Sequence, residues 1–226
     1  MSAPRVAVLI PCYNAAPWLA DVISGAARHI PRAHIVAVDD GSRDHTAQVA
    51  ATCGITVLTH RQNRGKGAAL KTGFAFALAR GYDAVLTMDA DGQHDPASIP
   101  ALVRVQRAAD ADIVLGTRMH DASTMPFHRR CSNTLTSLVI SLRIGHSVRD
   151  SQSGFRLIRC ALLRAIPLTS DGYQLESELL IKALITGARL ATVPVETIYG
   201  GRKSFIHPFR DTVRFVTLIL GSSFWT

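Results

Sequence analysis

Five short apolar runs, each stopping at a polar turn, constrain the fold of this chain more than any other feature. They are Val6–Ile10, Ile35–Val38, Ile55–Leu58, Tyr82–Leu86 and Asp112–Gly116. Between them the pattern predicts helices: about Ala16 to Arg28, one running through Ala51, an alanine-rich one ending at Arg80, and one from Pro96 to about Ala108. Ser42 or Asp44 can cap the second of these. Near-continuous apolar strands alternating with helices specify a mainly parallel α/β sheet flanked by helices on both faces. The second half is less regular. It predicts helices over 129–144, 159–165 and 174–186, a strand from Leu190 to Val195, and a last helix from near Pro208. No repeat or low-complexity linker divides the chain, so the 226 residues read as a single domain. Residues 1–118 form its regular half, and residues 119–226 a less regular half with a C-terminal amphipathic helix.

Ligands of such sheets bind at the carboxyl ends of the strands, so the turns there carry the functional reading. The fourth strand runs into Thr87-Met88-Asp89-Ala90-Asp91-Gly92-Gln93-His94-Asp95-Pro96. Alternation along that strand points Asp89 and Asp91 to one side, so both can serve one site. Two like charges that close need a cation or a proton between them. Carboxylate oxygens suit Mg²⁺ or Mn²⁺. The plainer reading is a polar turn of Asp, Gly and Pro. His94 stands beside the pair, but an oxygen-loving metal favours other donors over its imidazole.

The other strand ends add candidates. Tyr13 and Asn14 follow the first strand, and Tyr13 is either a core ring or a platform beside a nucleotide base. Asp39-Asp40-Gly41-Ser42 offers more carboxylates than a helix cap needs, and one can accept hydrogen bonds from a ribose or base. Gly65-Lys66-Gly67 lacks the full spacing of a phosphate loop. It reads as a tight turn between helix and sheet, with Lys66 adding positive charge. Arg118 is either a solvated charge or a diphosphate contact. Arg202 and Lys203, on a glycine-rich loop, suit a mobile phosphate clamp or a solvated loop. Glu176 and Glu178 are two apart on a helix and so do not share a face. One is expected to face the site and the other to face solvent.

The formal charge of +8 implies an anionic partner. Aromatic residues are 6% and no basic run is interleaved with them, which argues against nucleic acid. Cys12, Cys53, Cys131 and Cys160 are scattered without a paired spacing, as expected of reduced thiols in a cytoplasmic protein rather than of a disulfide framework or zinc site. The N-terminus leads straight into a strand, so no signal peptide is expected. No apolar run reaches membrane-span length. Val213–Trp225 reads as a core helix or, alternatively, as an interfacial membrane helix.

Taken together, Pro11-x-Tyr13-Asn14, Asp39-Asp40-Gly41-Ser42, Asn63-x-Gly65-Lys66-Gly67, Met88-Asp89-Ala90-Asp91-Gly92-Gln93-His94, Gln152-Ser153-Gly154-Phe155-Arg156 and Glu176-x-Glu178-Leu179-Leu180 resemble a family 2 glycosyltransferase of the GT-A (Rossmann-like) fold. The nearest likeness is to the dolichyl-phosphate mannose synthase and polyprenyl-phosphate glycosyltransferase group. The resemblance implies an inverting transfer from a nucleotide-diphosphate sugar, of GDP-mannose or UDP-glucose type, with Mg²⁺ or Mn²⁺. Pro11, Tyr13, Asn14, Asp39 and Asp40 would hold the nucleoside. Asp89, Ala90, Asp91, Gln93 and Lys66 would surround the donor diphosphate, with Asp89, Asp91 and Gln93 on the metal. Arg118, Arg202 and Lys203 would contact phosphates. Ala15 departs from the acidic residue often found at that position.

Charge building on the departing diphosphate would be stabilised by the metal and by cationic side chains. A polyprenyl phosphate acceptor is already ionised. A hydroxyl acceptor instead needs a carboxylate base, for which Glu176, Glu178 and Asp150 are the candidates, Asp91 being the catalytic carboxylate on the metal. Basic charge, the apolar C-terminal segment and the resemblance favour the lipid phosphate, with peripheral contact at an anionic, cytosolic membrane face. The alternatives are transfer to a hydroxyl of a glycan, lipid or pigment, a nucleotidyltransferase, and a non-catalytic nucleotide-sugar binding module.

Overall fold

The structure, a computed structural model, describes residues 4–118, 127–145, 147–148, 150–198, 215–219 and 221–222. Arg202, Lys203 and the start of the expected last helix at Pro208 lie outside the described residues.

Seven strands form one sheet: β1 (Val6–Cys12), β2 (Ile35–Asp39), β3 (Thr56–Thr59), β4 (Ala84–Thr87), β5 (Ile113–Thr117), β6 (Arg156–Arg159) and β7 (Leu190–Pro194), in the order β3-β2-β1-β4-β6-β5-β7. The helices are α1 (Ala16–Ala27), α2 (Thr46–Thr52), α3 (Lys66–Ala79), α4 (Ile99–Ala108), α5 (Phe127–Ile144), α6 (Cys160–Ala165) and α7 (Leu175–Ile185). Two opposite core clusters follow from strand alternation. Val6, Val8 and Ile10 of β1 face Leu19 and Ile23 of α1 and Leu102 of α4. Ala7 and Leu9 face Leu70 and Phe74 of α3 and Leu179 and Leu180 of α7. A fully buried leucine contributes about 2 kcal/mol, so both faces anchor the sheet. Gly73 lets α3 approach β1, since a Cβ there would lie 2.1 Å from Leu9 Cδ1.

The sheet is mainly parallel, as expected, with one strand reversed. β6 pairs antiparallel with both β4 and β5, at a place where the sequence pattern gave only a polar link before a helix. The reason is local. β6 has four residues with arginine at each end, so only Leu157 and Ile158 carry an apolar signal, one toward each core cluster. The reversal matters for the site. In the β4–β6 register Thr87 lies opposite Arg156, so the loop preceding β6 arrives beside the carboxyl end of β4.

Pro11 sits in β1 without breaking the sheet. β4 pairs with β1 only as far as Leu9, so the missing N–H of Pro11 falls beyond that ladder.

Candidate active site

Beyond Thr87 the chain leaves the sheet, and Asp89 to Gly92 form a turn rather than a strand. Strand alternation therefore does not orient the two aspartates, contrary to the sequence expectation. Local bonds do so instead. Asp91 Oδ1 accepts the Gln93 N–H at 2.9 Å, and His94 Nδ1 accepts the Asp89 N–H at 3.1 Å. His94 is itself held by stacking on Phe155, with ring centroids 5.0 Å apart. Its Nδ1 is thus engaged with the backbone of the turn, and burial pushes the imidazole below its ordinary value even though Asp89 and Asp91 oppose this.

Asp89 faces a buried cation. Lys66 Nζ lies 2.7 Å from Asp89 Oδ1 and 3.2 Å from Glu176 Oε1, so one ammonium bridges two carboxylates. Burial raises the Asp89 carboxyl, but Lys66, followed by His94 and Arg118, outweighs it and holds the group at about 2. Burial likewise lowers Lys66, and the two carboxylates overcome it and raise the amine above its ordinary range. Lys66 reaches this position because Gly65 adopts φ of +101° and α3 starts immediately after it. The expected close approach of Gly65-Lys66-Gly67 to the sheet is in fact to another loop. A Cβ on Gly67 would lie 2.7 Å from the Asp171 carbonyl carbon.

The loop before β6 closes the back of the site. A Cβ at Gly154 would meet Asp89 Oδ2 at 2.8 Å and Glu176 Oε1 at 3.1 Å, so only glycine fits between these carboxylates. Thr87 Oγ1 donates to the Gly154 carbonyl at 2.7 Å. Arg156, 1% exposed, donates to the carbonyls of Ser153 and Ser151, both at 2.7 Å, and of Glu176 at 2.5 Å. It ties the 151–155 loop to the first turn of α7. The sequence reading quoted Gly154, Phe155 and Arg156 as a motif but gave them no role. An arginine among serines and glycine, just before an apolar pair, was the available signal.

The remaining candidates divide sharply. Asp39 and Asp40 are 3% and 2% exposed. Asp40 accepts the N–H groups of Arg64 and Gly65 at 2.9 and 2.7 Å and lies 2.6 Å from His60 Nδ1. Asp39 accepts the N–H of Ser42 at 3.2 Å and its hydroxyl. Ser42 Oγ in turn accepts the Asn14 N–H at 2.9 Å, and Asn14 Oδ1 accepts the Arg43 N–H at 2.9 Å. This lattice ties the mouths of β1 and β2 together beside Tyr13. Ser42 does not cap α2. The N-cap position is His45, without a side-chain cap, and Asp44 just before it accepts the Thr46 N–H at 3.0 Å.

Asp150, fully buried, accepts the backbone N–H and Nε of Arg118 at 2.9 and 3.0 Å, Nη2 at 2.9 Å, and Asn133 Nδ2 at 2.9 Å. Burial raises its carboxyl, and Arg118 more than reverses this, holding it below the ordinary range. It positions Arg118 rather than standing ready for a proton. Glu178 is also not at the site, nor is it in solvent as one of the two glutamates was expected to be. It is fully buried, accepting the Thr169 and Ser170 N–H groups at 2.9 and 2.8 Å and pairing with Lys182 at 2.6 Å. Burial raises its carboxyl, and these partners bring it down to about 2.

A polar cavity of 400 Å³, lined by Asn63, Arg64 and Gly65 and by the 169–174 loop, adjoins Lys66. A larger groove of 670 Å³ between the end of α1 and α4 touches none of the acidic-turn residues. Among the described residues no three His, Cys, Asp or Glu side chains form a ready-made metal cluster. The carboxylates of Asp89 and Asp91 and the amide oxygen of Gln93 are hard donors of the kind Mg²⁺ and Mn²⁺ take, with water and substrate oxygens completing the shell.

A helix-flanked, mainly parallel sheet with one antiparallel strand inserted, and an Asp-x-Asp turn at the end of a central strand, defines the GT-A glycosyltransferase class. The chain belongs to glycosyl transferase family 2, whose family model matches residues 7–167. It is 32% identical over 202 residues to undecaprenyl-phosphate mannosyltransferase of Micrococcus luteus, covering 84% of this chain and 82% of that one. Identity to polyprenol monophosphomannose synthase of Mycolicibacterium smegmatis is 30% over 203 residues, covering 84% and 76%. These relatives put it in the dolichyl-phosphate mannose synthase group within the family. In fold it resembles glucosyl-3-phosphoglycerate synthase of Mycobacterium tuberculosis, solved with Mn²⁺, UDP and phosphoglyceric acid, at a TM-score of 0.77 and 20% identity, covering 99% of this chain and 80% of that one. The protein is a glycosyltransferase.

Proposed function

We propose that this glycosyltransferase moves a sugar, with inversion, from a nucleotide-diphosphate sugar to a polyprenyl phosphate. The names of its relatives support that acceptor class. The observation that carries the choice is the state of the three carboxylates nominated as a base. Glu178 and Asp150 are buried and fully engaged, and Glu176 is paired with Lys66. A hydroxyl acceptor needs a carboxylate poised to take its proton. An ionised phosphate does not.

In this reading Asp89, Asp91 and Gln93 hold Mg²⁺ or Mn²⁺, which supplies Lewis-acid stabilisation of the leaving diphosphate. Lys66 places a fixed positive charge at the same spot, in a setting where its amine stays protonated. His94 and Gly154 fix the position of Asp89, and Asp150 fixes Arg118 for an acceptor or donor phosphate. Pro11, Tyr13 and Asn14, braced by Asp39 and Asp40, form the nucleoside side. Arg202 and Lys203 are proposed to close over the phosphates. Residues 1–118 thus serve the donor and the remainder the acceptor, at the cytosolic face of a membrane.

The test is transfer of labelled sugar from GDP-mannose and from UDP-glucose to a short-chain, water-soluble polyprenyl phosphate, with the product's anomer read by NMR. The expected product is a polyprenyl-phosphate sugar of inverted configuration. Label appearing only on hydroxyl acceptors, or release of pyrophosphate, would overturn the proposal.

A further inference from the structure

His60, just past the end of β3, is buried and begins a hydrogen-bonded chain that finishes at Lys66. Its Nδ1 lies 2.6 Å from Asp40 Oδ1, and its Nε2 lies 2.9 Å from Thr72 Oγ1 on α3. The Asp40 carboxylate also accepts the Arg64 N–H at 2.9 Å and the Gly65 N–H at 2.7 Å. It offers acceptors only, so Nδ1 donates to it in either charge state of the ring. One carboxylate thus joins the imidazole to the two N–H groups just ahead of Lys66. The main chain here is held without the ring. The His60 N–H donates to the Asp39 carbonyl at 2.9 Å, and the Asp40 N–H to the Cys12 carbonyl at 2.8 Å. Gln62 runs so close to the turn after β2 that a Cβ on Gly41 would lie 2.5 Å from the Gln62 carbonyl carbon. What the imidazole adds is therefore the orientation of the Asp40 carboxylate.

We propose that His60 is a positioning residue for sugar transfer, orienting Asp40 so that the turn at Arg64 and Gly65 sets Lys66 against the leaving diphosphate. Gly65 is where this orientation counts. Its φ of +101° is set by its neighbours, since glycine has no side chain to restrict it. A rotation there swings the start of α3 and carries the Lys66 ammonium away from Asp89 and Glu176, now 2.7 and 3.2 Å from it. Thr72, further along α3, closes the chain back onto the helix that Lys66 begins. His60 acts through Lys66 and not by contact with the donor. Its influence falls on the chemical step, because a reacting group misplaced by about 1 Å costs about a hundredfold in rate. A histidine that only filled and satisfied the core would lower the melting temperature without favouring one ring nitrogen over the other.

The proposal rests on the reading of Lys66 as a charge beside the leaving diphosphate, and it holds for either acceptor class. Asparagine and glutamine separate the two nitrogens, since the Asn amide nitrogen falls near Nδ1 of the ring and the Gln amide nitrogen near Nε2. The experiment measures kcat, donor KM and melting temperature for wild type, His60→Asn, His60→Gln and Lys66→Met. It uses the donor and acceptor that the wild type accepts, beginning with the water-soluble polyprenyl phosphate. His60→Gln, which gives up the bond to Asp40, is expected to lose about thirtyfold in kcat with donor KM changed by no more than about threefold. His60→Asn, which keeps that bond, is expected to retain at least about a third of kcat. Each variant gives up one hydrogen bond, so the two should melt within about 3 °C of each other. Lys66→Met is expected to lose about a hundredfold or more. Equal kcat in the two His60 variants, or a lower one in His60→Asn, would overturn the proposal. Turnover lost in Lys66→Met but intact in His60→Gln would overturn it alone, whereas full turnover in Lys66→Met would overturn the Lys66 reading and this proposal with it.

Discussion

The turns after β2 and β4 are built from the same residue types and put them to opposite uses. At Asp39-Asp40 both carboxylates are nearly inaccessible and bonded to protein N–H and O–H groups, which lock the first two strand ends together. At Asp89-Ala90-Asp91 the Asp89 side chain keeps 29% of its surface exposed and has one bridging lysine as its main partner, while Asp91 caps its own turn. The difference teaches that a pair of aspartates at a strand end is no functional signature by itself. What distinguishes a ligand site is charge left for something else to satisfy. Glu176 and Glu178 repeat the contrast two residues apart on α7.

Substitutions on the two sides of this comparison should separate activity from stability. The largest effect is expected for Asp91→Asn, with sugar transfer falling about a thousandfold, or about 4 kcal/mol of transition-state stabilisation. Its melting temperature should move by no more than about 2 °C, as read by calorimetry beside the turnover assay. Glu178→Gln should do the reverse, costing about 3 kcal/mol of stability because Lys182 is left buried without its countercharge. The pH dependence has a definite sign. The folded carboxyl is held at about 2 against an ordinary value of 4.5. Its contribution is therefore complete above pH 4.5 and is lost as pH falls toward 2. Denaturant melts should show the gap between wild type and variant closing over that window. Asp40→Asn comes next, at about 2 kcal/mol, since an amide cannot accept from Arg64, Gly65 and His60 together. Ser42→Ala is expected to cost about 1 kcal/mol, seen as a small shift in the urea midpoint. A fall in transfer with unchanged stability in Asp40→Asn would break the comparison and give that carboxylate a ligand.

The parallel part of the fold was legible because β1, β2, β4 and β5 are apolar on both faces, a pattern that short helices do not imitate. The carboxyl-edge location of the site followed from that alone. β6 was not legible, since Arg156 and Arg159 outnumber its apolar signal and its antiparallel direction is set by β4 and β5 on either side. Asp89, Asp91 and Lys66 were readable as candidates from their place after strands. The Lys66 bridge from Asp89 to Glu176 was not, because Lys66 and Glu176 lie 110 residues apart in the chain, a contact that sequence spacing cannot show. Glu178 was misjudged as facing either site or solvent for a similar reason. Its partners Thr169 and Ser170 sit in a loop whose path depends on Gly65 and Gly67 allowing Asp171 so close.

The central claim, that the Asp89–Asp91 turn binds a divalent metal together with a donor diphosphate, is tested most directly by thermal shift. GDP-mannose, UDP-glucose and plain nucleotides are each added with Mn²⁺, with and without EDTA, to wild type and to Asp91→Asn. The predicted result is a rise in melting temperature for one donor that requires Mn²⁺ and disappears in the variant. An equal rise in EDTA, or in Asp91→Asn, would contradict the assignment.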